Sequence, residues 1–501
     1  MILLYKHAGE IDVLDNYRGI FLRHVILSII QKWLYTHNAG IVDSNGSELA
    51  FGGRVDRSVQ EALLIVRLIQ DHAWWSGESL FIKFMDVQKF FDSMNFRKAL
   101  IDAHLSGVRG KDWKMYDVIN KFKTCIPSTP LGLCSEIIME EVFVQGSADA
   151  VLMAWNTMDA RNKREVDRYD SEFVIEGILL NGVIFIDDIV VFARTELEVI
   201  ELLVSDEVFQ RSNRLRFKPA KCKIILINVG GGAFEGNFKL NGEVVEVVLV
   251  YKYLGTLVEQ YGRKADVEER IRKSQGVVNE IVQVCKSFEL SVIRLQYVNM
   301  LTESCLSSMV KYGCEMWDDL SAEEVNKIDN LRVKVIKRVL ELPYSTPSAA
   351  VKYEFGLLDY SLEILMEKVL LAVKVLKSDD SRVAKQLLQV NLQNNVSGFS
   401  RQVVEICENV FGCSLEAMVV MDGDLRSILK DKLVCKQGER LRLQMLSQSK
   451  TDGLLMNSFN FNGKMKKYLE LPFTQARIIF MVRCRMILVK DNFPGRWEGT
   501  L

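Results

Sequence analysis

The sequence has no excess of charge of either sign. Its 64 lysines and arginines stand against 65 acidic residues, for a formal net charge of −1 and a pI near 6.6. A global basic signature for nucleic acid is therefore excluded, and any such groove must be a local feature. Paired cysteine motifs are missing too: ten cysteines occur singly, with no Cys-x-x-Cys, the pattern of reduced core residues in an intracellular protein. Histidine is absent after His104, so the C-terminal half cannot build a Cys/His zinc site. The opening Met1-Ile2-Leu3-Leu4-Tyr5 is too short for a signal-peptide core and has no basic flank before it. The longest late apolar stretch, 478–489, is broken by Arg483 and Arg485, so no membrane span is expected. There is no short repeat and no low-complexity tract. What remains is a chain of 501 residues, 49% hydrophobic and 26% charged, able to bury a large core in several domains.

Within it, Gly182 to Arg194 is an apolar, β-branched and aromatic run interrupted by Asp187 and Asp188. Asp is depleted from strands and is seldom buried unpaired, so the economical solution is a hairpin with the pair at its tip. Two carboxylates held that close repel unless a cation neutralises them, and hard oxygen ligands call for magnesium or manganese. Taken alone, an Asp-Asp dipeptide reads more readily as an Asx turn. A second strand, Leu80 to Met85, also runs into an acid, Asp86. If the two strands are neighbours, the cluster suits two metal ions about 3.5–4 Å apart, as polymerases and nucleases use.

These residues carry a resemblance. Phe185-Ile186-Asp187-Asp188 resembles the Phe/Tyr-x-Asp-Asp box of reverse transcriptases, and Phe84-Met85-Asp86 through Phe90-Phe91-Asp92 resembles the corresponding segment of non-LTR, LINE-type retrotransposon polymerases. Their order and separation also match that family. The resemblance implies an α+β right-hand polymerase with partial fingers over 1–80, palm over 81–258, thumb over 259–320 and an all-helical extension over 321–501. It implies RNA-directed DNA synthesis from deoxynucleoside triphosphates on an RNA template and DNA primer. Two Mg2+ or Mn2+ ions would be held by Asp86, Asp187 and Asp188.

The same resemblance assigns further roles. Lys6 and Arg18 fall in the fingers hairpin that grips the triphosphate, work suited to a point charge and a bidentate fork. Phe91 stands at the steric gate against a ribose 2′-hydroxyl. Gln145 and Gly146 match a Gln-Gly motif lying against template and nucleotide, although its proline is missing and Ala148-Asp149-Ala150 replaces a small apolar stretch. Lys221 aligns with a lysine near the pyrophosphate leaving group. Tyr253-Leu254-Gly255 resembles the primer grip, with Gly255 letting the primer approach. Arg54 and Arg57 are candidate template contacts, and Arg270 and Lys273 lie on a basic helix face suited to a duplex.

Periodicity supplies the rest. Leu22, Val25, Ile26, Ile29, Ile30, Trp33 and Leu34 trace the apolar face of a helix, Ser58 caps the next, and Ser321 with Glu324 forms a capping box. Val267, Ile271, Val278, Ile281, Val282 and Cys285 mark the buried side of another helix. Asn492 to Gly499 resembles the Gly-Arg-Trp segment that precedes a zinc-knuckle-like region. No endonuclease is expected within this chain, which resembles the polymerase core of a longer element. Two alternatives stay open: a degenerate remnant that at most binds nucleic acid, and a two-metal nuclease.

Overall fold

Leu80–Asp86 lies in the middle of a five-stranded sheet, and its six apolar-flanked positions before Asp86 are all buried. The computed structural model describes residues 1–5, 10–129, 132–144, 146–168, 173–230, 237–288, 295–446 and 460–484; of Asp15, Arg18, Asp92 and residues 162–168 it describes the backbone alone. Lys6, Gln145 and the Asn492 to Gly499 segment lie outside the described residues. The chain divides into two units: Met1–Tyr261 with Ser378–Ser397, and Gly262–Lys377 with Gly398–Leu501.

In the first unit the sheet runs Val183–Phe185, Asp188–Ala193, Leu80–Asp86, Lys223–Ile227, Glu246–Val247. All neighbours are antiparallel except the last pair. Alternation decides which side each residue takes. Phe81, Met85, Ile189, Val191 and Ala193 share a core with helices Ala148–Arg168 and Glu196–Asn213. Lys83 points the same way and ends on Asp206 at 2.6 Å, which also accepts from Arg161 Nε at 3.0 Å. All three side chains are buried, so losing one partner would strand charge at a cost of about 3–5 kcal/mol. On the opposite face the Phe84 ring packs on Tyr251 and Tyr253, with centroids at 4.5 and 5.6 Å. Those tyrosines are two apart on Val250–Tyr253, which pairs with Thr256–Glu259.

Helix Val59–Ser76 has the expected cap: the Ser58 side chain accepts from Glu61 N, and Gly77 at φ 74° ends it. Helix Val25–Ser44 departs from expectation. Leu22, Val25, Ile26, Ile29 and Trp33 are exposed, and the buried stripe is Gln31, Leu34, Asn38 and Val42. Polar partners explain the rotation, because Gln31 meets Asp149 and Asn38 meets Asp112.

The second unit is helical throughout its described residues, from Lys264–Ser287 to Phe473–Arg483. The anticipated apolar side of Lys264–Ser287 is buried in a core with Leu295, Trp317, Leu331 and Tyr353. Ser321 and Glu324 form the reciprocal capping box. Trp317 fastens this unit, donating from Nε1 to Asp266 at 2.7 Å while its carbonyl accepts from Lys368. All ten cysteines are free. Among the described residues, no helix is long and apolar enough to cross a membrane.

Candidate active site

The register sets Asp188 directly opposite Asp86 on the neighbouring strand. Across the hairpin Asp188 pairs with Phe185, which leaves Ile186 and Asp187 as the two-residue turn. Three carboxyl-bearing residues thus share one end of the sheet, two on adjacent strands and one in the turn. Ile186 adopts φ 59°, a left-handed conformation that costs a β-branched residue roughly 1–3 kcal/mol. The surroundings hold it there. Phe51 N donates to Ile184 O at 2.8 Å, Ile184 N donates to Leu49 O at 2.9 Å, and Gly52 closes on the turn.

Charge is concentrated at this corner. Burial, then repulsion from Asp187 and Asp86, pushes the Asp188 carboxyl up to about 7, with Lys221 pulling the other way. Lys221 Nζ lies 3.0 and 3.1 Å from the two Asp86 oxygens. Backbone bonds deliver it there: Lys218 N donates to Asp86 O at 3.1 Å and Gln88 N to Arg216 O at 2.7 Å. The Tyr251 hydroxyl adds a bond to Lys221 O at 2.9 Å. Among the described residues no three His, Cys, Asp or Glu side chains are gathered closely enough to hold a metal ion, and Lys221 engages both oxygens of Asp86. The donor chemistry still fits a divalent cation, since these are hard oxygens whose ionised forms are disfavoured together until a positive charge joins them.

Other expected residues divide into those near this corner and those turned away. Phe91 is half-buried, edge-on to Phe90 with centroids 5.6 Å apart. Tyr253 is buried, and Leu254 and Gly255, at φ 45° and 82°, form the turn of its hairpin. Gly146 is exposed at φ 95°, a conformation that favours glycine. Arg18 lies on Tyr17–Ile20, its backbone opposite Leu4. Arg54 and Arg57 do not face solvent. Arg54 is engaged by Asp43 and the carbonyls of Ser47 and Ala50, Arg57 by Glu48, and their side chains are 3% and 4% exposed. Arg270 is likewise buried against Met309 and the Tyr312 ring, while Lys273 pairs with Glu269 at 3.1 Å. The template and duplex contacts expected of these three arginines do not suit side chains held inside the protein.

A family model for reverse transcriptase (RNA-dependent DNA polymerase) matches residues 6–258 and so spans the whole carboxylate corner. The chain belongs to the reverse transcriptase family. Its fold is the right-hand polymerase fold of that family, with a helical C-terminal region. No curated protein matches the chain. Among solved structures it is similar to telomerase from Candida albicans in complex with a telomeric RNA fragment, at 11% identity, TM-score 0.32, and 72% of this chain against 56% of that one. The telomerase of Candida tropicalis gives 13%, 0.32, 71% and 56%, and an RdRp complex gives 11%, 0.34, 95% and 44%. The chain thus spans little more than half the length of the two telomerases, and less of the third.

Sequence reasoning missed two features of this reverse transcriptase family member. One is the Lys83, Asp206 and Arg161 cluster, whose only local signal is a lysine inside an apolar strand. The other is the work of Tyr251, the first residue of the motif Tyr251-Lys252-Tyr253-Leu254-Gly255, whose ring stacks on Phe84 and whose hydroxyl steadies the Lys221 backbone. Its spacing two residues before Tyr253 on a strand was the available clue.

Proposed function

We propose that the chain is the RNA-directed DNA polymerase of a LINE-type retrotransposon, working by two-metal nucleotidyl transfer. In this reading residues 1–80 are fingers, 81–258 palm, 259–320 thumb and 321–501 a helical extension. The observation that supports it most is the pairing of Asp86 with Asp188 beside a turn that carries Asp187. Asp86, Asp187 and Asp188 would hold two magnesium or manganese ions. When bound, such ions lower the pKa of an attacking hydroxyl and balance the charge of a triphosphate.

The chain's own residues do the rest. Lys221, already beside Asp86, moves to the departing pyrophosphate and gives it a proton. Lys6 and Arg18 grip the triphosphate, Phe91 excludes a ribose 2′-hydroxyl, and Gln145 and Gly146 bear on the nascent base pair. Tyr253, Leu254 and Gly255 line the primer, and Lys273 remains for the duplex backbone. The buried arginines 54, 57 and 270 brace these elements from within.

The test is magnesium-dependent primer extension on an RNA template, with deoxynucleotides and, in parallel, ribonucleotides. Wild type is expected to incorporate deoxynucleotides, and Asp187→Asn to lose about 100-fold or more in rate. An Asp187→Asn variant as fast as wild type would refute the assignment. A wild-type protein that binds the primer–template but never extends it would leave the degenerate, binding-only reading.

A further inference from the structure

Asp149 is a charged residue between two alanines, three positions after Gly146. It is fully buried at the start of helix Ala148–Arg168. A carboxylate in that position needs partners, and the structure supplies them from two other helices. Gln31 Nε2 donates to Asp149 Oδ2 at 3.1 Å, and Asn120 Nδ2 donates to the same oxygen at 2.8 Å. Both donors are completely buried.

The relay continues outward. Arg23 donates from Nη1 to Gln31 Oε1 and from Nη2 to the Gly146 carbonyl at 2.9 Å. On the other side of the same loop, Lys123 Nζ donates to the Val142 carbonyl at 3.1 Å. The loop is closed internally where Ser147 Oγ donates to Val144 O at 2.9 Å. Of Arg23's two partners among the described residues, only Gln31 is buried. The second is a backbone carbonyl on an exposed turn, so half the fork acts on the shape of that turn. A guanidinium is a rigid plane whose two amino groups have a fixed separation. Joined at both ends, it fixes how far the Gly146 turn stands from helix Val25–Ser44.

We propose that Arg23 is a positioning residue: it clamps the Gly146 turn to the buried Gln31–Asp149 relay and so sets where the incoming nucleotide pairs. The nucleotide role of the turn rests on the polymerase reading above, whereas the clamp itself does not. Lysine keeps the charge but cannot span both acceptors, so Arg23→Lys should behave like Arg23→Ala.

Two measurements on the full chain decide it. Hydrogen exchange should quicken about tenfold at the amides of Gly146 to Val151 in both variants, with melting temperature held within about 2 °C. In primer extension, the deoxynucleotide KM should rise about tenfold while kcat stays within about twofold. Exchange at the wild-type rate in Arg23→Ala would overturn the clamp, whatever the enzyme does. Faster exchange with an unchanged KM, or KM and kcat lost together with thermal stability, would overturn the nucleotide-positioning role. If wild type extends no primer, the polymerase reading and the nucleotide role fall together, and the exchange comparison still settles the clamp.

Discussion

Arg382 donates from Nη2 to both carboxylate oxygens of Glu61, at 2.8 and 2.9 Å, across 321 positions of sequence. The same amino group reaches the Asp56 carbonyl at 2.7 Å. This contact brings residues 378–397 back to the first unit, where helix Val383–Gln393 packs along helix Val59–Ser76. Asn391, fully buried, donates to Leu68 O at 3.0 Å and meets His72 Nδ1 at 3.3 Å. Helix Val59–Ser76 is consequently buried on every side from Glu61 to Ala73.

Removing the arginine leaves Glu61 charged and enclosed, its side chain 6% exposed. Arg382→Ala is expected to lower stability by about 3 kcal/mol. Urea unfolding measures this. The double variant Arg382→Met with Glu61→Gln should recover most of the loss, because no buried charge is then left alone.

What the sequence made legible is what local chemistry decides. Asp86 and Asp188 stood out because acids interrupt apolar strands, and the caps at Ser58 and Ser321 stood out because an N-cap needs only its own first turn. The buried side of Lys264–Ser287 was readable from its spacing. The turned-in arginines were not, since whether Arg54 meets water or Asp43 depends on how a separate helix, which carries Asp43 eleven positions back, packs against it. Helix Val25–Ser44 misled for the same reason. Its polar stripe is buried by partners at Asp112 and Asp149 that no periodicity encodes. The return of residues 378–397 is a tertiary fact of the same kind.

Gly52 is a residue whose side-chain absence has a structural purpose. A Cβ there would overlap Ile186 Cγ1 and lie 2.7 Å from Ile186 N and 3.1 Å from the Phe185 carbonyl carbon. Two of those atoms are backbone, so the hairpin tip itself must move. Gly52→Ala is expected to displace the Ile186-Asp187 turn and cut primer extension about 100-fold. Its cost in stability should stay within about 1–3 kcal/mol, the range for overpacking. Extension assays and thermal unfolding of the same preparation separate the two effects.

Glu315 gives the second unit a pH dependence of definite sign. Burial, and then the nearby Glu367, push its carboxyl up from 4.5 to about 7, against a hydrogen bond from its own backbone N–H and weaker pulls from Lys368 and Arg426. The unfolded chain releases this proton near its ordinary value, so between about pH 4.5 and about pH 7 the folded state holds more protons. Its contribution is thus complete below about pH 4.5 and is lost as pH rises through about 7. The expected loss is on the order of 3 kcal/mol. Glu315→Gln should flatten the stability profile over that window in chemical denaturation at a series of pH values.

Asp188 couples the same arithmetic to the proposed chemistry. Its carboxyl sits at about 7 because burial, Asp187 and Asp86 all oppose its ionisation. A divalent cation needs the ionised form, so binding must release the proton whenever the pH is below that value. Manganese affinity is therefore expected to rise up to about tenfold per pH unit below about pH 7 and to level off above it. Without metal the sign reverses, and stability attributable to Asp188 declines as pH climbs from about 4 to about 7. Asp187→Asn removes the second-largest cause of the shift, so the midpoint of the affinity profile should move to lower pH even as the affinity at its plateau falls. Free manganese followed by paramagnetic resonance across the range reads both quantities. Calorimetry in two buffers of different ionisation enthalpy counts the proton. A profile flat from about pH 5.5 to about pH 8 would mean that Asp188 is not among the groups that meet the cation.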